Sequence, residues 1–464
     1  MPDRSAPVRT GPGEPPRDVT AADAPAGPGN DAALAEQGRH DLTDHGAGPG
    51  STRRGTSGSG SGPAERNVED VPTPSGRESA GRGTDRESTS RGSGREAQLD
   101  RSGLRPGWTT GACAAAASRA AWTALLTGAF PDPVEIELPH GRRPAFALTQ
   151  ERLGDGSAMA AVTKDAGDDP DVTQGAVVRA TLRRGEPGSG ITFAAGDGVG
   201  TVTRPGLPLE VGEPAINPVP RRYIAANIAA ADREAGGSGA PDVLVTVSID
   251  DGESIAQRTW NPRIGILGGL SVLGTTGVVV PYSCSAWIAS IHEGIDVARA
   301  GGVRHVAGTT GSSSTTTVET LYPGVELLDM GDFAGAVLKY LHQHPVPRLT
   351  LCGGFAKISK LANGYLDLHS HRTQVDHEHL ASLAARSGAG PELVEQVRHS
   401  PTAAHALSLC ADAGVPLGDT VAAAARAEAL AVIDNPQVDV QVICTDRKGR
   451  VVGRAGFTGA TKPA

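Results

Sequence analysis

The chain of 464 residues carries 43 basic and 52 acidic side chains, a formal charge of −9. Its first 100 residues hold no Phe, Tyr, Trp, Ile or Lys and mix 12 Arg with 16 Asp and Glu; such a segment cannot bury enough apolar surface to offset its chain entropy, so a disordered low-complexity arm is expected over residues 1–103. The sequence has no apolar run of ~18 residues, no basic stretch leading into an apolar core at its start and no basic stripe, so no membrane span, secretory leader or nucleic-acid partner is expected, and about 360 residues remain for two domains.

Ordered character begins near Leu104. Thr109 is a good N-cap, and the alanine-rich run from Ala112 to Leu126 predicts a helix. Val134 to Leu138 alternates as a strand and runs into a Pro139-His140-Gly141 turn signal. Ala145 to Gln150 and Ala158 to Thr163 read as partner strands, and Val177 to Leu182 and Val243 to Ile249 as two more. Between them Gly196 to Asn217 is loop-rich, and Arg221 to Ala231 reads as a helix after Pro220. Residues 104–264 are therefore expected to form an α+β part with a mixed sheet.

The period changes from residue 265. Gly301 to Ala307 reads as a strand ending in Gly308-Thr309-Thr310-Gly311-Ser312-Ser313-Ser314, with a helix through Leu321. Val325 to Leu328 is a second strand, Asp332 to His342 a helix, and Arg348 to Cys352 a third strand ending in Gly353-Gly354 before a Lys357–Lys360 helix. Strand, glycine turn and helix in repetition predict a parallel α/β part over residues 265–464. Val438 to Cys444 and Val451-Val452 read as an edge hairpin around Lys448-Gly449. The fold class expected is α/β: the mixed-sheet part first, the parallel-sheet part second.

Ligands of open α/β sheets bind beyond the carboxyl ends of the strands, so Gly308, Thr309, Gly311, Gly353 and Gly354 are candidate nucleotide-like contacts, with plain turns as the alternative. Gly268, Gly269, Gly274, Thr275 and Thr276 lie in a run with five glycines in 13 residues. Either a ligand approaches that backbone or two elements cross closely. Thr109 and Thr110 at a helix start could cradle an anion or simply cap. Lys164 stands beside Asp165, Asp168, Asp169 and Asp171; Arg204, Arg221, Arg222 and Arg263 lie in or beside turns and suit carboxylate forks. His369, His371, His377 and His379 complete no metal spacing, and Ser312–Ser314 lack a nucleophile elbow. Five separated cysteines without a CxxC pair fit a reduced cytoplasm.

Six long segments, GWTTGACAAAA (107–117), KDAGDDPDVT (164–173), GDGVGTVTRPGL (196–207), VGEPAINPVPRR (211–222), NPRIGILGGLSVLGTTGVVVPYS (261–283) and CGGFAKISKLANGYLDLHS (352–370), resemble the cobalt-precorrin-5B (C-1)-methyltransferase family, CbiD, over about residues 104 to 460. The resemblance implies methyl transfer from S-adenosylmethionine to C-1 of cobalt-precorrin-5B, giving cobalt-precorrin-6A in anaerobic cobalamin biosynthesis. It also implies a cytoplasmic enzyme, with homo-oligomers allowed and no protein-bound metal, the cobalt belonging to the tetrapyrrole. The glycine loops would hold the donor. Lys164, Arg204, Arg221, Arg222, Arg263, Thr109 and Thr110 would meet the substrate, whose rim carries acetate and propionate groups. Asp165, Asp168 and His369 are the candidates for tuning its protonation. The rival is an NAD(P)-dependent oxidoreductase acting on a tetrapyrrole; the missing GxGxxG, and no acidic residue placed ~20 residues on to take a ribose, count against it.

Overall fold

The computed structural model describes residues 103–459; the expected arm lies outside the described residues except for Gly103. Two five-stranded sheets organise the chain. The first contains β1 (Gln150–Gly154), β2 (Ser157–Thr163), β3 (Val177–Arg184), β4 (Ile191–Ala195) and β5 (Val243–Ile249), in the order β1-β2-β3-β5-β4. All its pairings are antiparallel except β5 with β4, as a mixed sheet requires. Alternate residues face inward: Val178, Ala180 and Leu182 on β3, and Val243, Val245, Val247 and Ile249 on β5. They pack under α1 (Thr110–Thr127) and α2 (Pro218–Glu234). The alanines of α1 let the helix lie close on the sheet, and Thr109 caps it by accepting from Ala112 N.

The second sheet contains β6 (His305–Thr309), β7 (Glu326–Asp329), β8 (Arg348–Gly354), β9 (Asp439–Thr445) and β10 (Val451–Ala455), in the order β7-β6-β8-β9-β10. The first four run parallel and β10 returns antiparallel, the hairpin expected from the sequence. Around it lie α3 (Cys284–Ala300), α4 (Ser312–Leu321), α5 (Ala334–Gln343), α6 (Phe355–Ala362), α7 (His377–Arg386), α8 (Pro391–Arg398), α9 (Ala403–Asp412) and α10 (Leu417–Ile433). Strand β4 and helices α3 and α7 to α10 were not anticipated from the sequence. Val442 belongs to one buried cluster and its neighbour Ile443 to another, so the sheet is covered on both faces.

The glycine-rich run joins the first part. Ile266–Leu267 pairs with Thr201–Val202, Gly269–Leu270 with Gly198–Val199, and Val278–Val279 with Gly107–Trp108. We therefore propose that the boundary between the two parts lies at Ser283, where α3 begins, rather than at residue 265. No described helix is long and apolar enough to cross a membrane.

Candidate functional site

Strands β6, β8 and β9 end side by side, and the segments that follow them build a cleft of about 1030 Å³. β6 runs into Thr310–Ser314, β8 into Phe355–Lys357, and β9 into Asp446–Lys448; Leu407 of α9 and Val415 and Leu417 beside α10 supply an apolar wall. The size suits a small-molecule ligand, and the place is where open α/β sheets bind them. Neither α4 nor α6 is capped by a side chain, so the first-turn amides of two helices are open to an anion or a carboxylate. Lys357 Nζ donates to the Thr310 carbonyl at 3.0 Å and pairs with Asp332 at 3.0 Å, which ties α6 to the loop after β6.

Gly354 has φ −58 and ψ 142, a conformation open to any residue. A Cβ built there would meet nothing within 4 Å. Neither backbone geometry nor packing demands glycine at this cleft-lining N-cap position, and the missing side chain leaves the backbone open to the cleft. Gly353 differs, because its Cβ would meet the Thr310 side chain at 2.8 Å. Gly308, Thr309 and Gly353 sit on the strand ends beneath the cleft, and Gly311 and Gly354 line it.

The other glycine run is elsewhere, and the close-crossing alternative describes Gly269 and Gly274, whereas at Gly268 a positive φ of 83 with nothing within 4 Å is a turn requirement. A Cβ on Gly269 would lie 2.3 Å from the Gly198 backbone, and one on Gly274 (φ 125) 2.3 Å from Thr109 Oγ1. Thr109 N donates to the Gly277 carbonyl at 3.1 Å, Gly111 N to the Leu273 carbonyl at 3.1 Å, and Leu273 N to Thr110 Oγ1 at 3.1 Å. The start of α1 thus spends the Thr109 and Gly111 amides and the Thr110 hydroxyl oxygen on its own chain. Gly268, Gly269, Gly274, Thr275 and Thr276 do not line the cleft.

The charged candidates are mostly engaged. Asp165 takes two hydrogen bonds from Arg105, at 2.5 and 3.0 Å, and that guanidinium holds its carboxyl below the usual carboxylate range. Asp168 accepts from Arg105 N at 2.7 Å. Lys164 is buried and donates to Asp171 at 2.7 Å. Arg204 donates to the Arg263 carbonyl and to Glu326, at 2.9 and 2.6 Å. Arg221 donates to Glu213 and to the carbonyls of Ile216 and Pro214. Arg263 is exposed and stacks over Trp260 at 5.0 Å; Arg222 is exposed, with no ion pair among the described residues. His369 is half-buried on the loop after α6, and its Nδ1 accepts from His371 N at 3.3 Å. Among the described residues no group of three or more His, Cys, Asp or Glu is placed to hold a metal ion.

Sequence reading missed Asp329, twenty residues after Thr309 on the neighbouring strand end. An acidic residue thus does follow at the interval where none was expected. Burial pushes its carboxyl up, with Arg263 opposing, and it faces a smaller pocket lined by Trp260, Arg263 and Trp287 rather than the cleft. Lys357, Asp332, Arg447 and Lys448 were missed as well; the signal for them was adjacency to a strand end in a parallel sheet.

Known proteins resemble this chain closely. Residues 97–281 match the family described as CbiD, and residues 367–456 match its C-terminal domain. A protein of Paramagnetospirillum magneticum named cobalt-precorrin-5B C(1)-methyltransferase is 57% identical over 358 residues, covering 77% of this chain and 99% of the relative. One of the same name from Agrobacterium fabrum is 54% identical, covering 79% and 97%. The crystal structure of the cobalamin biosynthesis protein cbiD from Archaeoglobus fulgidus is 28% identical, covers 56% of this chain and 80% of its own, and superposes with a TM-score of 0.32.

Proposed function

The chain belongs to the CbiD family, and from that premise we propose that it methylates C-1 of cobalt-precorrin-5B with S-adenosylmethionine as donor, in cobalamin biosynthesis. The observation that carries this reading to a place in the molecule is the cleft over the ends of β6, β8 and β9. The open position at Gly354 and the two uncapped helix starts fit a donor that has an amino-acid carboxylate and a flat base. Gly311 and Gly354 would lie against the donor, and Gly308, Thr309 and Gly353 would support them from the strand ends. When bound, S-adenosylmethionine supplies an activated sulfonium methyl, so no protein nucleophile is needed.

The chain's own task is alignment. Reactants held in a near-attack pose can recover ~7–11 kcal/mol of the barrier, and Lys357 serves this by locking α6 to the Thr310 loop. Leu407, Val415 and Leu417 exclude water from one side. We assign no proton transfer to Asp165, both oxygens of which the Arg105 guanidinium holds, or to Asp168, which is exposed and accepts from Arg105 N through one oxygen. His369 is retained as the group that tunes the macrocycle, and Arg222 and Arg263 as exposed cations available to it. We place the protein in the cytoplasm, a reading supported by its five free cysteines.

Calorimetric titration of the purified protein with S-adenosylhomocysteine and NADPH, joined to mass spectrometry of a reconstituted reaction, tests the proposal. Heat with S-adenosylhomocysteine and a one-methyl mass gain on the tetrapyrrole are expected. Heat with NADPH alone would overturn it.

A further inference from the structure

We infer that Arg447 and Lys448, at the tip of the β9–β10 hairpin, grip peripheral carboxylates of the macrocycle at the mouth of the cleft and so set the substrate's affinity. The inference rests on the function proposed above and assigns this part of the site to the polycarboxylate rather than to the methyl donor.

The first observation is charge. The whole chain is −9, yet the residues lining the cleft include Lys357, Arg447, Lys448 and Arg450 against one acid, Asp446; four positive charges less one negative leave +3. In a chain with an acidic excess, that local reversal marks a place for an anion. The second observation is which cations are free. Lys357 is committed to Asp332 and to the Thr310 carbonyl, and Arg450 to Asp446 at 2.7 Å. Arg447 and Lys448 are exposed and have no ion pair among the described residues. Of the arginines on the turns of the first part, Arg204 holds Glu326 and Arg221 holds Glu213, and Arg222 and Arg263, though exposed, do not line the cleft.

The third observation is rigidity. Asp446 Oδ1 accepts from Lys448 N at 2.8 Å and from Arg450 N at 2.9 Å. Thr317 Oγ1 on α4 donates to the Gly449 carbonyl at 2.8 Å. The backbone of the tip is therefore fixed to the same helix whose start opens on the cleft, and the two long side chains leave it from set positions. Cations rooted at fixed backbone positions on a rim favour a flat ring whose acids match their spacing, with Arg447 able to fork a carboxylate and Lys448 acting as a point charge. The donor has a single carboxylate and is proposed to lie against the loops on the cleft floor. The mouth is left to the larger, many-acid partner.

The test is the double variant Arg447→Ala/Lys448→Ala in the full chain, assayed by steady-state methylation of cobalt-precorrin-5B and by calorimetry with S-adenosylhomocysteine. The expected result is a rise of about tenfold in KM for the tetrapyrrole, two rim pairs at ~0.7 kcal/mol each, with kcat and S-adenosylhomocysteine affinity unchanged. The charge-keeping pair Arg447→Lys/Lys448→Arg should recover most of the loss, and Arg152→Ala on the far, exposed β1 should have no effect. An unchanged KM in the double variant overturns the inference. An equal loss of S-adenosylhomocysteine affinity also overturns it, by giving the hairpin to the donor. Failure of the unmodified protein to bind S-adenosylhomocysteine or to methylate would sink the proposed function itself, and is seen before any variant is made.

Discussion

The two sheets bury their side chains by different rules. On β5 inward and half-exposed residues alternate from Val243 to Ile249, whereas on β9 every residue from Val440 to Thr445 is buried. A one-faced sheet uses its second face for solubility and its loops for joining segments, so the KDAGDDP turn and the glycine-rich run spend their polar groups on the protein itself. A two-faced parallel sheet has only its ends free, and there the post-strand loops gather into a cleft. At those ends Gly354 leaves the backbone open, and Arg447 and Lys448 hold no ion pair among the described residues.

The difference can be broken most forcefully at the cores. Leu351→Ala on β8 and Ile443→Ala on β9 remove fully buried side chains from opposite clusters, and each should cost about 2–5 kcal/mol in urea unfolding. In the first sheet Leu182→Ala should cost as much, but its exposed neighbour Arg183→Ala about 0.5 kcal/mol or less. Equal costs at Leu182 and Arg183 would show that the first sheet is covered on both faces too.

The two glycine runs offer the next contrast. At Gly274 (φ 125) a Cβ would strike Thr109, so Gly274→Ala should destabilise the fold by about 1–3 kcal/mol and leave donor affinity of the folded protein unchanged. At Gly354 a Cβ meets nothing, so Gly354→Ala should melt like the parent yet bind S-adenosylhomocysteine about tenfold more weakly, a loss of about 1.4 kcal/mol. Thermal melts paired with calorimetry read both, and the reverse pattern would move the donor to the first part.

These glycines also mark how far the sequence could be read. Both runs announce close backbone approach, but the chemistry of a glycine does not say what approaches: Gly198 in one case, open cleft in the other. The strands β3, β5, β6 and β8 were legible because their hydrophobic period is short and bounded by turn residues. Helices α9 and α10 were not, because alanine fills both their buried and their exposed positions (Ala403 and Ala404, Ala422 and Ala423), so the sequence shows no clear apolar stripe. Of the site, the loops at Gly308–Gly311 and Gly353-Gly354 were legible from the strand–glycine–helix order. Lys357, Arg447 and Lys448 were not, since their meaning depends on three strand ends from distant parts of the chain lying side by side. The arginines were read for charge alone, and what pairs with them is a matter of tertiary contact.

Arg221 tests that last point with a smaller effect. It is expected from its turn to meet a substrate carboxylate, but its three donors go to Glu213 and to the carbonyls of Pro214 and Ile216. Arg221→Ala should therefore lower stability by about 1 kcal/mol and leave KM for the tetrapyrrole unchanged. A rise in KM without a change in melting would restore it to the binding surface.

The smallest effect belongs to Asp165 and carries its own sign. Arg105 keeps the folded carboxyl below its usual range, so the folded chain takes up the proton less readily than the unfolded one. The pair's contribution is then present at neutral pH, above the unfolded value near ~4, and is lost as pH falls through the folded value. With both side chains more than a third exposed, Asp165→Asn should cost no more than about 0–1 kcal/mol at pH 7, and the variant and parent should converge in acid. Turnover separates structure from chemistry at the same residue: a general base lost from a reaction costs about 100-fold or more, whereas a carboxylate occupied by Arg105 can be replaced with kcat and its pH profile intact. The second outcome is the one expected, because both oxygens of Asp165 are held by Arg105.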